Sequence, residues 1–174
     1  MRYVALLRGV NVGGKNILPM VRLASMFTNA QCADVQTYIQ SGNVVFSANS
    51  KLAPKLASNI CACIHEEFGF QTNIILRSLP EMEKIAAAIP YSDLDNAHIL
   101  FLASNPTGEQ VAQLDPDRSA PDQFKVIGSE IYLHLPNGTA RSKLTNAYFD
   151  SKLKTVSTLR NWRTMLKLLA MMAG

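Results

Sequence analysis

The feature that most constrains this chain is the order of its short apolar runs and helical-period stretches. Residues 3–8 form an apolar run of strand length. Residues 9–18 hold Gly9, Gly13 and Gly14 and read as a loop. Pro19 suits the first turn of a helix, and Met20, Leu23, Ala24 and Phe27 then recur at helical spacing. Residues 35–39 and 44–47 read as two strands joined by the turn signal Gln40-Ser41-Gly42-Asn43. Leu56, Ile60, Ile64 and Phe68 make the apolar stripe of a second helix, which Gly69 ends. Residues 72–76 supply a fourth strand. The order βαββαβ is the split-βαβ, ferredoxin-like arrangement: one four-stranded sheet whose apolar face is covered by two amphipathic helices.

The rest of the chain repeats part of this pattern. A helix over 80–88 stops before Pro90, because a residue preceding proline is driven out of helical backbone. Residues 97–103 read as a strand and 107–114 as a helix, with Thr107 or Asn105 as its cap. Residues 123–127 and 130–135 form two strands around Gly128-Ser129. The pattern places a helix capped by Ser142 up to residue 150, a short strand at 154–157, and a last helix capped by Thr158 over 159–172. The expected class is α+β: two ferredoxin-like halves, residues 1–78 and 79–174, with antiparallel sheets and helices packed on one face. No low-complexity linker separates the halves.

With 48% hydrophobic and 17% charged residues, the chain can build a core and is not disordered. It has no apolar run long enough to span a bilayer, so no membrane partner is expected. The first apolar run stops at Arg8, too short for a secretory leader. Three cysteines (Cys32, Cys61 and Cys63) form no disulfide framework and suit a reducing, cytoplasmic compartment. Cys61 and His65 share a helix face but lack further ligands, so no metal is assigned. No cofactor signature is present either.

Charge is unevenly spread. Residues 1–51 carry five Lys/Arg against one acid, residues 52–140 five against eleven, and residues 141–174 seven against one. Basic ends that met in space would form a positive patch; opposite charges could also simply hold two halves together.

Four segments could carry chemistry. Gly9 to Lys15 has the spacing G-x-x-x-x-G-K, but Asn16 replaces the hydroxyl residue that would hold magnesium. Pro19 also keeps a helix from starting inside the loop. A phosphate-cradling P-loop is therefore rejected. A Gly-rich loop contacting an anion remains, beside the plainer reading that the glycines only turn the chain. The hairpin Gln40-Ser41-Gly42-Asn43 belongs at the same sheet end, which would bring Gln40, Ser41 and Asn43 near Asn11 and Lys15; ordinary turn chemistry is the other reading. In Thr158-Leu159-Arg160-Asn161-Trp162-Arg163-Thr164, a helical reading puts Arg160, Arg163, Thr164 and Lys167 on one basic arc and Trp162 in the core. Arg160 and Asn161 would then sit in a first turn that favours anions. Gly138-Thr139-Ala140-Arg141-Ser142-Lys143 reads as another small-residue loop opening a basic helix, which could bind phosphate at its N-terminus; a plain capped helix start is the other reading. No G-x-S-x-G, H-E-x-x-H or C-x-x-C occurs, and no acid–base pair stands out.

At these residues the chain resembles domain of unknown function 1697. The matching stretches are residues 5–16, carrying Arg8-Gly9-Val10-Asn11-Val12-Gly13-Gly14-Lys15-Asn16; residues 37–46, carrying Tyr38-Ile39-Gln40-Ser41-Gly42-Asn43; Arg77-Ser78; Ser142-Lys143-Leu144; and residues 158–164. Leu159 departs from the residue usual beside the Arg-Asn-Trp run. The resemblance implies a two-part ferredoxin-like fold and transfers no substrate or catalytic residue.

The expected function is binding of an anionic, phosphate-bearing partner, either nucleic acid or a phosphorylated small molecule. The expected ligand residues are Arg8, Asn11, Gly13, Gly14, Lys15, Gln40, Ser41, Asn43, Arg160 and Asn161, lining one cleft. An enzyme acting on a small anionic substrate, or a protein-interaction module, are the alternatives. The RNP aromatic pattern of sequence-specific RNA binders is absent.

Overall fold

A computed structural model describes residues 1–174. It contains two four-stranded antiparallel sheets with helices, the α+β arrangement of two ferredoxin-like halves. The elements are β1 (Arg2–Leu7), α1 (Met20–Asn29), β2 (Ala33–Tyr38), β3 (Asn43–Ser47), α2 (Ala53–Phe68), β4 (Ile74–Ser78), α3 (Leu79–Ala87), β5 (Ala97–Leu102), α4 (Gly108–Ala112), β6 (Gln123–Ile127), β7 (Glu130–His134), α5 (Asn146–Leu153), β8 (Ser157–Asn161) and α6 (Trp162–Ala173). The chain divides into unit 1, residues 1–84 with 167–174, and unit 2, residues 85–166; the divisions fall within α3 and α6.

In unit 1 the strand order is β2-β3-β1-β4. Alternation along each strand sends Tyr3, Ala5 and Leu7 of β1, and Val44 and Phe46 of β3, into one core with Leu23 and Phe27 of α1 and Ile60 and Ile64 of α2. Phe46 is its centre: its ring lies 5.0 Å from Phe27 and 5.7 Å from Tyr3. Burying each such aromatic side chain contributes about 2–3 kcal/mol. Pro54 occupies the first turn of α2, where a missing N–H costs nothing, and left-handed Gly69 (φ 76°) closes its end by donating to the His65 carbonyl at 2.9 Å. The Arg2 guanidinium ties the closing helix into the unit through the Met171 carbonyl at 3.0 Å.

Unit 2 repeats the plan with order β6-β7-β5-β8. Leu100 and Leu102 of β5 and Ile131 and Leu133 of β7 pack with Tyr148, Phe149 and Leu153 of α5. Thr107 caps α4 in a reciprocal box with Gln110, and Thr145 caps α5 by accepting from the Tyr148 amide at 3.2 Å.

The repeat extends to individual hydrogen bonds. In unit 1 the Leu7 amide donates to Gly42 (2.9 Å) and the Arg8 amide to Asn73 (3.0 Å); in unit 2 Leu102 donates to Ser129 (2.9 Å) and Ala103 to Val156 (2.8 Å). Each pair knits the end of the first strand to the following hairpin and to the start of the fourth strand.

Four local expectations are corrected. The helix expected from Ser142 begins at Asn146: a 3-10 turn at Thr139–Arg141 and extended backbone at Ser142 intervene, and Thr145 supplies the cap. The short strand expected at 154–157 lies instead at Ser157–Asn161, since Lys154 is the left-handed cap of α5; because those residues pair with β5, the last helix begins at Trp162 instead of residue 159. The strand expected over 35–39 ends at Tyr38, since Ile39 turns left-handed (φ 49°).

Candidate functional site

In unit 1 the register pairs Leu6 with Asn43 and Leu7 with Ile74. That brings the end of β1, the β2–β3 turn and the start of β4 to one end of the sheet. The long connection over 8–19 emerges there, and it is tightly wound. Gly9, Asn11, Gly13, Gly14 and Asn16 all have positive φ, between 51° and 72°. These are the residue types that tolerate the left-handed region, because they lack a Cβ or have a short amide side chain that bonds locally.

The winding forms a miniature hairpin. The Lys15 amide donates to the Val12 carbonyl and the Asn11 amide to the Asn16 carbonyl, both at 3.0 Å. Gly13 and Gly14 hold positive φ at both central positions, the requirement of a type I′ turn. Lys15 is therefore carried at an exposed tip. The Asn16 side chain reaches back, its Nδ2 donating to the Gly9 carbonyl at 2.9 Å, and closes the base.

Asn11 fastens this hairpin to the rest of the sheet end. Its Oδ1 accepts from the Leu18 amide at 2.7 Å, and its Nδ2 donates to the carbonyls of Leu18 (2.9 Å) and Gln40 (2.8 Å). The hairpin loop and the β2–β3 turn are thus one assembly. Gly42 sits beneath it in close packing: a Cβ there would stand 2.7 Å from Leu7 Cβ and from Val10 Cγ2. Gly9, Gly13 and Gly14 have nothing within 4 Å of a Cβ, so they are needed for backbone angle and not for space. Asn43 is fully buried and donates to Tyr38 carbonyl (3.1 Å) and Ser41 Oγ (3.0 Å), which holds the turn in shape.

Of the residues expected to meet a ligand, then, Arg8, Asn11, Gly13, Gly14, Lys15, Gln40, Ser41 and Asn43 lie in two joined loops of unit 1. Asn11 and Asn43 spend their side chains on the loops themselves, whereas Lys15, Gln40 and the two tip glycines are exposed. Exposed aliphatic side chains share the assembly: Val12 (62% exposed), Ile17 (58%) and Ile39 (51%). Residue type alone did not single them out: Ile39 fell within an expected strand, and an aliphatic in a loop carries no chemical signature.

Arg160 and Asn161 belong to unit 2 and have a different setting from the one expected. Arg160 is buried on β8, opposite Ile99 of β5, not on a helix face. Its Nη1 donates to Thr158 Oγ1 (2.9 Å) and the Leu159 carbonyl (2.8 Å). Burial pushes its pKa down to about 10, so it is still a cation at neutral pH. The Asn161 Oδ1 accepts from the Thr164 amide at 2.8 Å and caps α6. The basic arc expected from Arg160 to Lys167 dissolves, since its first member is on a strand.

Arg77 is the counterpart of Arg160 in unit 1. It pairs with Val4 across β4 and β1 and donates to the Leu76 carbonyl at 2.9 Å. Both arginines are the penultimate residue of a strand that runs directly into a helix.

No group of three or more His, Cys, Asp or Glu is placed to hold a metal ion, and no helix is long and apolar enough to cross a membrane. All three cysteines are free thiols; burial pushes the Cys32 and Cys61 thiols up, away from reactive thiolate.

Among curated proteins, none matches the chain. Among solved structures, the chain is similar to conserved bacterial protein SP0830 from Streptococcus pneumoniae, with 26% identity over 98% of both chains and a TM-score of 0.70. The profile described as "Protein of unknown function (DUF1697)" matches residues 1–132, and with the repeated ferredoxin-like units already seen, the chain belongs to the DUF1697 family.

Proposed function

We propose that the loop assembly of unit 1 binds an anionic, phosphate-bearing ligand, either nucleic acid or nucleotide-like. One observation carries this reading: the repeated fold does not need the loop. Unit 2 joins its first strand to its first helix through the five residues 103–107, whereas unit 1 spends the twelve residues 8–19 on the same connection. The β2–β3 turn uses residues 39–42 where its unit 2 counterpart uses 128–129. Both insertions fall at one sheet end. Loops beyond what a scaffold requires are where binding residues concentrate.

Charge supports an anion as the partner. Unit 1 holds nine Lys/Arg against five Asp/Glu, while unit 2 holds eight against eight, so the net charge of +4 resides in unit 1. Residues 1–33 contain no acid at all. Arg2 and Arg22 are met by Asp34 and Glu67, whereas Lys15 stands at the hairpin tip. A flexible ammonium beside glycine backbone suits phosphate oxygens. The reduced thiols fit a cytoplasmic setting for such a ligand.

The test is titration of the whole chain with tripolyphosphate and with an oligonucleotide at low and moderate salt. Affinity should fall steeply with salt and drop about tenfold on Lys15→Ala. Salt-independent binding, or binding indifferent to Lys15, would sink the reading.

A further inference from the structure

We infer that the partner of this loop assembly is single-stranded nucleic acid, with its phosphates at Lys15 and its bases against Val12, Ile17 and Ile39. The inference rests on the anion-binding reading and narrows it.

The starting point is Ile39. A β-branched side chain in left-handed backbone (φ 49°) is unfavourable, because Cβ crowds the following carbonyl. Asn or Gly would suit the position better, as Asn11, Asn16 and Gly42 illustrate nearby. The side chain is also half-exposed, so no core packing compensates for the strain. Backbone strain of this kind clusters at ligand clamps and other functional sites, and among the left-handed residues Ile39 is the β-branched one. Val12 and Ile17 are more exposed still, and all three belong to loops joined through the Asn11–Gln40 hydrogen bond. An anion alone gives these aliphatics nothing to cover. The ligand must carry apolar surface beside its negative charge.

Charge and exposure narrow the class. A small nucleotide is held in a pocket that buries most of its surface, yet Lys15 and its aliphatic neighbours are all exposed on an outward hairpin and turn. Such a surface suits a polymer, which gains by repeating weak contacts along its length. A duplex turns phosphates outward and keeps its base faces stacked. A single strand can present phosphates and base faces together. Aliphatic side chains offer no π-face, so contact should favour the thymine methyl group.

The experiment is fluorescence anisotropy of labelled (dT)15 with the whole chain, alongside (dU)15, a duplex of equal length, tripolyphosphate as competitor, and vesicles of phosphatidylcholine with phosphatidylserine. We expect (dT)15 to bind about threefold more tightly than (dU)15 and well above duplex or vesicle. Val12→Ser with Ile39→Asn should weaken (dT)15 about tenfold and leave tripolyphosphate unchanged. Ile39→Asn alone should melt no lower than the parent, which separates lost binding from lost folding. Unchanged (dT)15 affinity in the aliphatic variants, with loss only in Lys15→Ala, overturns this inference and leaves the anion reading standing. Preferential vesicle or duplex binding also overturns it. If no phosphate probe responds to Lys15→Ala, the anion reading itself falls.

Discussion

Unit 1 and unit 2 solve one folding problem twice, and they differ most where folding does not require it. Both have the same strand order, the same pair of hydrogen bonds at the end of the first strand, and an arginine one residue before the end of the fourth strand. Unit 2 turns corners economically with 103–107 and 128–129. Unit 1 inserts a wound hairpin of left-handed residues and a longer turn at the matching corners, and carries all the net charge. The common parts thus report what the sheet needs, and the excess is what the proposed binding reading rests on.

The sharpest way to break this comparison is at the turn glycines. Gly42→Ala should cost about 3 kcal/mol, adding left-handed strain to a collision at 2.7 Å with Leu7 and Val10. Gly128→Ala, at the corresponding turn of unit 2, meets only the Glu130 carboxylate at 4.0 Å and should cost about 1 kcal/mol. Urea midpoints measure both; equal losses would remove the claim that the unit 1 turn is packed from beneath.

Next comes Asn11→Ala, which deletes three side-chain hydrogen bonds joining the hairpin to Leu18 and Gln40. A loss of about 2 kcal/mol is expected, with faster amide exchange at Leu18. A wild-type midpoint would mean that the two loops are not one assembly.

A smaller effect separates the units by pH. Burial in unit 2 lowers the His98 pKa below its ordinary 6.5. A depressed folded value means that His98 contributes stability above pH 6.5, and that this is lost as pH falls from there through the folded pKa. Midpoints recorded between pH 7.5 and 5 should therefore decline less in His98→Gln than in the parent. Parallel curves would count against it.

The smallest stability effect belongs to a residue with a large expected functional one. Lys15→Ala should shift the melting temperature by no more than its error, since surface changes away from special backbone fall within about 0.5 kcal/mol. Marked destabilisation would recast Lys15 as a structural residue.

Much of the fold was legible. The strand–helix order of both halves follows from apolar period. The hairpin at 40–43 and the cap at Thr107 follow from local turn and cap chemistry. Even the neighbourhood of Asn11 and Gln40 follows from topology, because in a βαββαβ sheet those loops share an end. The end of the chain was harder. Ser157–Asn161 enters α6 with no intervening loop, so a five-residue strand and a twelve-residue helix merge into one plausible helical stretch. Thr158 and Arg160 alternate on one strand face, but a buried arginine breaks the polar-out rule by which that alternation is read.

What the sequence alone determined, then, was where backbone must bend. Glycine and asparagine occupy the left-handed positions of the hairpin because few other residues can, and that restriction is local. What only the tertiary structure decided was which side chains are used up inside the fold and which stay exposed. Asn11 and Asn43 are consumed within the loops, Arg160 is buried, and Val12, Ile17 and Ile39 stay in the open. Burial and hydrogen-bond partnership depend on residues far apart in the chain, and no local pattern encodes that distance.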